Sequence, residues 1–171
     1  MEKQNIILIG MPGVGKSTAG VILAKLLGYQ FIDADLMIQQ QEGKLLHEII
    51  RERGTDGFLA VEEGVNSGIC AERAVIATGG SVVYGAKAME HYRRIGAVVY
   101  LSLPFEELAR RLHDIRGRGV ALRDGQTLYD LYQERAPLYE KYADVTIEEY
   151  GLNIEQTVAR IAACFPPVSG T

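Results

Sequence analysis

The feature that most constrains this chain is a glycine-rich segment directly after a short apolar run. Residues 10–17 read GMPGVGKS and fit the pattern GxxxxGK[S/T], and residues 5–9 before them read NIILI. Glycines let the backbone fold around an anion with its N–H groups pointing inward, and the next helix adds positive partial charge. Lys16 then reaches the β- and γ-phosphates and the Ser17 hydroxyl ligates Mg²⁺. The segment predicts an ATP or GTP site with these contact residues: Gly13, Val14, Gly15, Lys16, Ser17 and Thr18.

Short apolar runs alternate with helical patterns along the rest of the chain. Strands separated by helices predict parallel βαβ units, hence an α/β fold of the P-loop NTPase type. We expect three αβα layers with a parallel sheet of about five strands, in a single domain over residues 1–165 with a disordered tail at 166–171. The predicted strands are 5–9, 29–33, 74–77, 97–101 and 145–147. The predicted helices are 17–27, 36–41, 45–53, 58–71, 87–94, 105–113, 128–143 (interrupted near Pro137) and 154–164.

Charge and hydropathy narrow the range of partners. The 171 residues include 18 Lys and Arg against 22 Asp and Glu, which gives a formal net charge of −4. A non-specific nucleic-acid binder needs a basic excess, so we expect no nucleic-acid partner. No stretch approaches the roughly 20 apolar residues of a membrane span. We therefore expect a cytoplasmic protein with no membrane partner.

Two acids follow the second predicted strand, at Asp33 and Asp35. In a parallel sheet this strand end and the glycine-rich loop open on the same edge. Strand alternation turns residues i and i+2 to one face, so both carboxylates point into the cleft. One acid then holds metal-bound water or acts as a base, and the other binds a substrate hydroxyl. The simpler alternative is an acid pair that caps the next helix.

The segment 114–127, DIRGRGVALRDGQT, departs from the packed pattern. It is rich in Gly, Arg and Asp and has little apolar periodicity. A loop of this kind in a compact domain is usually functional. We predict a mobile lid.

Taken together, the motifs resemble those of the shikimate kinase family. The resemblance runs from Ile6 to about Ile161 and rests on GMPGVGKST, FIDADLMI, GTDGFLAVEE, ATGGSV and RAPLYEKYAD. It implies a kinase that uses ATP and Mg²⁺ to phosphorylate the 3-hydroxyl of shikimate, a step of aromatic amino-acid (chorismate) biosynthesis. We expect a monomer with this small molecule as its partner.

The resemblance also implies roles for particular residues. Asp33 lies near Mg²⁺ and the reacting hydroxyl, and Asp35 binds substrate hydroxyls. Gly79 and Gly80 offer backbone N–H groups to the substrate, and Arg135 pairs with its carboxylate. A planar guanidinium matches a carboxylate bidentately, which makes the last role physically sensible. The alternative for Arg135 is an ordinary arginine on a helix surface.

One departure from the family lies at Leu59, where the resemblance implies an arginine as a second carboxylate clamp. Glu62, which would pair with that arginine, is present. One charged hydrogen bond contributes ~1.5–3 kcal/mol, so its loss weakens substrate binding by roughly 10- to 150-fold. Arg51, Arg53 or a lid arginine is the candidate substitute.

A second departure lies in the lid, where the family's RPLL is absent. Arg116 or Arg118 remains available to reach the phosphates as charge develops during transfer, and the spacing does not choose between them. The alternative is a solvated basic loop. On the preceding helix, Arg110 or Arg111 is the residue that the resemblance places beside adenine.

Two other functions compete with shikimate phosphorylation. The first is a related kinase for another small polyol or hydroxy acid, which the missing arginine motivates. Gluconate-type and nucleoside monophosphate kinases are the neighbours, and the GGSV turn and RAPLY block count against both. The second is a catalytically silent nucleotide-binding regulator. A silent regulator is disfavoured because the chain keeps all four of the residues Lys16, Ser17, Asp33 and Asp35. The three functions would be discriminated by testing whether the protein consumes ATP only when a given hydroxy acid is added.

Overall fold

The computed structural model describes residues 4–112 and 120–166. Its centre is a sheet of five parallel strands in the order β2-β3-β1-β4-β5. The strands are β1 (Asn5–Ile9), β2 (Gln30–Asp33), β3 (Ala74–Ala77), β4 (Gly96–Ser102) and β5 (Val145–Glu148). The predicted α/β class and strand number are confirmed.

Seven helices connect and flank these strands in the described part of the chain. They are α1 (Lys16–Leu27), α2 (Ala34–Glu42), α3 (Leu46–Ser67), α4 (Ala86–Ile95), α5 (Phe105–Arg111), α6 (Leu128–Tyr142) and α7 (Ile154–Ala163), with a short 3₁₀ turn at Val82–Tyr84. Within residues 4–112 and 120–166, none of the helices is long and apolar enough to cross a membrane. The predicted tail lies almost wholly outside the described residues.

The burial of each strand follows its place in the sheet. Every residue of β1 and β3 is buried, as their unbroken apolar runs predict for central parallel strands. The edge strands β2 and β5 are partly exposed. Strands β1 and β3 therefore lie in the buried centre of the sheet. The loops that follow their carboxyl ends are at the edge where parallel sheets usually carry a binding site.

The two breaks predicted in the helices have different outcomes. The break at Gly54 is confirmed: α3 consists of two helical segments that meet at Gly54, which leaves helical geometry at φ 71° and ψ 177°. The interruption predicted near Pro137 is wrong, because α6 continues through that residue. A proline within a helix removes one backbone donor, and the packing of α6 against the core offsets that loss.

A second, smaller apolar cluster is formed mainly by residues of α2 and α3. It consists of Ile38, Leu46, Ile49, Phe58, Val65 and Ala121. Ala121 belongs to the predicted lid, so this cluster ties the C-terminal arm of that segment to α3. Two of its members, Leu46 and Phe58, line the cavity of the candidate site.

Candidate active site

The glycine-rich loop runs from the end of β1 into α1, as its motif predicts. Gly15 caps α1 with φ 91°, a left-handed conformation that favours glycine. A Cβ on Gly10 would lie 2.7 Å from the carbonyl oxygen of Leu101. The loop can therefore make this turn against β4 only with glycine at both places.

Lys16 lies inside this loop and is only 8% exposed. Its Nζ donates hydrogen bonds to the carbonyl oxygens of Gly10 at 2.6 Å and Met11 at 2.8 Å. Burial lowers the pKa of Lys16 to about 8, and the charge of Asp35 opposes this shift. The side chain therefore remains largely cationic at pH 7, held against the turn where an anion would bind.

Ser17 and Asp33 are joined by a hydrogen bond in which the Ser17 Oγ donates to Asp33 Oδ2 at 3.0 Å. The other oxygen, Oδ1, accepts from the backbone N–H groups of Asp35 and Leu36 and so caps α2. The helix-capping interpretation of Asp33 is therefore confirmed, and its role at a metal ion or as a base stays a prediction. A hydroxyl and a carboxylate are oxygen donors of the kind that Mg²⁺ prefers, so the pair fits this ion.

Asp35 is not on β2, which corrects the argument from strand alternation. The strand ends at Asp33, and Asp35 lies in the first turn of α2. The helix turns its side chain into the same cleft. Burial, followed by the charge of Asp33, raises the pKa of Asp35 to about 6.

A cavity of about 440 Å³ joins these elements. It is lined by the glycine-rich loop, by Phe58 and Glu62 of α3 and by Arg135 of α6. Thr78, Gly79 and Gly80, which follow β3, also line it. The cavity thus places a phosphate-binding loop and a buried guanidinium in one space.

The glycines after β3 leave no room for side chains. A Cβ on Gly79 would lie 2.6 Å from Asp35 Oδ1 and 2.8 Å from Glu62 Oε2. A Cβ on Gly80 would lie 2.9 Å from Arg135 Nη1. Backbone at these two positions therefore approaches both the acids and the guanidinium closely.

Arg135 is 1% exposed, which excludes the alternative of a surface arginine. Its Nη2 donates to the Ala121 carbonyl oxygen at 3.2 Å, and its guanidinium lies 5.3 Å from the centroid of the Tyr84 ring. The Tyr139 hydroxyl donates to the carbonyl oxygen of Gly80 at 2.5 Å. The contacts with Ala121 and Tyr84 hold the guanidinium at the cavity, where it can meet a carboxylate.

Leu59 packs against the second apolar cluster rather than lining the cavity. The structure does not bring the candidate substitutes Arg51 and Arg53 to the cavity: Arg51 is exposed, and Arg53 pairs with Glu42 at 2.8 Å. In the lid arm, Arg123 pairs with Asp56 at 3.0 Å. Among the described residues, the cations that line the cavity are Lys16 and Arg135.

The two arginines at the end of α5 differ in their contacts. Arg111 Nη1 donates to the carbonyl oxygen of Gly13 at 3.4 Å. Arg110 points away, is 74% exposed and pairs with Glu107. The structure thus brings Arg111 to the glycine-rich loop and not Arg110. The other lid arginines considered, Arg116 and Arg118, lie outside the described residues.

Two buried residues near the site, Ser81 and Glu149, were missed in the sequence. Ser81 Oγ donates to Glu62 Oε1 at 2.6 Å, and burial raises the pKa of Glu62 to about 7. Glu149, directly after β5, is 3% exposed, and burial raises its pKa to about 7 despite the charges of Arg111 and Lys16. Each is a single polar residue in or near a turn, and the only available signal was its position after a predicted strand.

Comparisons with known proteins agree with this geometry. The family model described as "Shikimate kinase" matches residues 12–165. A shikimate kinase of Nostoc punctiforme is 38% identical over 98% of this chain and 94% of its own, and one of Chlorobium chlorochromatii is 35% identical over 94% and 90%. Among solved structures, a shikimate kinase from Acinetobacter baumannii in complex with shikimate has a TM-score of 0.85 and 32% identity, covering 95% of this chain and 93% of its own. One from Aquifex aeolicus has a TM-score of 0.78 and 30% identity, covering 93% and 94%.

Proposed function

Since the chain belongs to the shikimate kinase family, we propose that it transfers the γ-phosphoryl group of ATP to the 3-hydroxyl of shikimate. The observation that carries this function is that Lys16 and the buried Arg135 line one and the same cavity. A phosphate-binding cation and a carboxylate-binding cation in one space match the two reactants. The step belongs to aromatic amino-acid biosynthesis.

The glycine-rich loop binds the ATP phosphates. Its backbone N–H groups and the start of α1 face the anion, and Lys16 supplies a full positive charge from a site that excludes water. Arg111, which contacts Gly13, is the better candidate than Arg110 for a place beside the nucleotide.

Ser17 and Asp33 are the residues that would hold Mg²⁺. Their oxygens already lie 3.0 Å apart at the start of α1. The ion neutralises charge on the β- and γ-phosphates when it is bound. Two backbone N–H groups at the start of α2 hold Asp33 Oδ1, and the other oxygen, Oδ2, accepts the hydrogen bond from Ser17.

The substrate occupies the other half of the cavity. Arg135 pairs with its carboxylate, and the backbone of Gly79 and Gly80 contacts the ring from below. Asp35 accepts a hydrogen bond from a substrate hydroxyl and is ionised at pH 7, because its pKa is about 6. An ionised carboxylate that accepts this bond can take the proton as the hydroxyl attacks the phosphorus.

We propose that segment 114–127, of which the structure describes residues 120–127, acts as a lid. Support comes from its described arm, where Val120 lines the cavity and the carbonyl oxygen of Leu122 accepts from Thr55 Oγ1 at 3.4 Å. Arg116 or Arg118 is proposed to reach the transferring phosphoryl group. We further propose a single kinase domain, a monomer whose own residues complete the site, and a cytoplasmic location, where ATP is available.

A coupled assay of ADP release tests this function. Purified protein is supplied with ATP and Mg²⁺ and with shikimate, gluconate or a nucleoside monophosphate as acceptor. We expect ADP release that depends on shikimate and stays at background with the other two. Release with gluconate or a nucleotide instead would favour a related kinase, and no release with any acceptor would favour a silent regulator.

A further inference from the structure

The environment of Glu62 is unusual for a carboxyl group that lines a polar cavity. Its side chain is 2% exposed, and its Oε1 accepts a hydrogen bond from Ser81 Oγ at 2.6 Å. Its Oε2 is also buried, and in the described part of the chain it has no hydrogen-bond partner. A buried oxygen without a partner costs about 1–3 kcal/mol, so its orientation into a ligand cavity requires an explanation.

No cation in the described residues forms an ion pair with this carboxyl group. The position one turn earlier on α3, three residues before Glu62, is occupied by Leu59, which packs on apolar neighbours. The charged and titratable groups that face Glu62 are Asp35, whose charge disfavours ionisation, and Arg135 and Lys16, whose charges favour it. Tyr92 also faces it and is held neutral by burial.

Geometry places the free oxygen at the substrate side. Glu62 Oε2 and Asp35 Oδ1 both lie within 3 Å of one point, the place where a Cβ on Gly79 would stand. Two negative charges at such a short distance would repel each other strongly in a buried site. One of the two carboxyl groups therefore keeps its proton. Burial raises the pKa of Glu62 to about 7, which makes Glu62 a site for that proton.

Ser81 decides which oxygen carries the proton. Its hydroxyl donates to Oε1, so Oε1 is an acceptor and the proton belongs on Oε2. We propose that Ser81 is a positioning residue for substrate binding: it holds Glu62 so that the Oε2 hydroxyl donates a hydrogen bond to an oxygen of the anionic substrate. This role rests on the proposed function. It adds a neutral hydrogen-bond donor to a site where the family resemblance implies a positively charged arginine.

The proposed role of Ser81 and Glu62 is tested by measuring the Kd for shikimate at pH 6 and pH 8, by calorimetric titration of the full chain. If only protonated Glu62 binds, a group with a pKa of about 7 makes the wild-type Kd rise about tenfold between these conditions. In Glu62→Gln the amide oxygen accepts from Ser81 and the amide N–H donates at the other position. We expect this variant to bind like the wild type at pH 6 and to lose the rise at pH 8.

The uptake of a proton when shikimate binds provides a second, independent measurement. Titrations at pH 8 in two buffers of different ionisation enthalpy should show that the wild type takes up a proton on binding, whereas Glu62→Gln takes up none. If the loss of a proton from Lys16 caused the rise in Kd, the rise would persist in Glu62→Gln. The variant therefore distinguishes titration of Lys16 from titration of Glu62. An increase in Kd of tenfold or more for Glu62→Gln at pH 6 would overturn the proposal, since the substrate would then need a carboxylate.

Ser81→Ala tests the positioning role itself. We expect its Kd at pH 6 to rise about 5- to 10-fold through loss of the anchored geometry. The rise with pH should also move to a higher pH, because the Ser81 bond favours the ionised form. Ser67→Ala is the matched control, since it removes a buried hydroxyl at the end of the same helix that has no partner among the described residues.

A Ser81→Ala variant with the same Kd values and the same pH dependence as Ser67→Ala would overturn the proposal. Failure of the underlying function is distinguishable, because it would appear as a wild type that releases no ADP with shikimate at either pH.

Discussion

Lys16 illustrates how the fold keeps a single charge available. The side chain is almost completely buried, yet two backbone carbonyl oxygens accept its hydrogen bonds and nearby acids offset the cost of burial. The glycines of the loop, and not this lysine, determine the backbone turn. Its contribution should therefore appear in catalysis and much less in folding.

Lys16→Ala tests that separation. We expect kcat to fall at least about 10²- to 10³-fold, because a preorganised cation that faces developing charge is removed. The melting temperature should stay within a few degrees of the wild type. Lys25→Ala, an exposed lysine in the last turn of the same helix, should leave both quantities unchanged. Near-normal turnover by Lys16→Ala would show that the phosphates are held elsewhere.

Glu149 should affect stability instead of catalysis, because the native state disfavours its ionised form. Its pKa rises from 4.5 in an ordinary environment to about 7 in the folded protein, mainly through burial. Stability linked to this group is fully present below pH 4.5 and is lost as the pH rises through 7. The side chain therefore destabilises the protein most at alkaline pH.

Glu149→Gln should remove this dependence. We expect the variant to be more stable than the wild type at pH 8, by up to about 3 kcal/mol, and no more stable at pH 4.5. Chemical denaturation at the two pH values measures the difference. Glu148→Gln, the exposed neighbour, is the control and should show no such effect. A Glu149→Gln variant with equal gains at both pH values would show that the carboxyl group is not protonated in the fold.

At the scale of secondary structure, α3 is the element that shapes the substrate side. Gly54 breaks its helical geometry, and the segment after the break presents Phe58 and Glu62 to the cavity. The combination φ 71° and ψ 177° is open essentially to glycine alone. The direction of the second half of the helix therefore depends on this one residue.

Gly54→Ala should destabilise the protein by about 1–3 kcal/mol, because the alanine Cβ strains this conformation. The control on the same helix is Gly64→Ala, where the conformation is helical and a Cβ would meet open space. That change should stabilise the protein by roughly 0.5–1 kcal/mol. Unfolding in denaturant measures both. Equal effects of the two substitutions would show that the break in α3 imposes no constraint.

The lid prediction concerns another element, and limited trypsin digestion tests it. Candidate cleavage sites follow Arg116, Arg118 and Arg123. With an ATP analogue and shikimate together, we expect cleavage to slow several-fold, because ligand contacts stabilise the closed form. The Lys16→Ala variant with the same ligands should show much less protection. Cleavage that is equally fast with and without ligands would contradict a lid.

At the scale of the whole molecule, the sequence predicts the framework better than the site. The glycine-rich loop and the strand-helix alternation predict the sheet, because buried parallel strands are unbroken apolar runs. The position of Asp35 was wrongly predicted, because capping by Asp33 starts α2 one residue after the strand. Ser81 was missed because a single hydroxyl gains its meaning only when the fold brings α3 beside the turn after β3.

The central claim is that the cavity between the glycine-rich loop and Arg135 binds shikimate and phosphorylates it. The most direct measurement compares kcat/KM for shikimate with that for its carboxamide, in which the charge is removed and the ring hydroxyls remain. The account predicts shikimate-dependent ADP release and a loss of about 10- to 150-fold for the carboxamide, since the buried Arg135 would lose a charged partner. Equal kcat/KM values for the two compounds, or no reaction with shikimate, would contradict it.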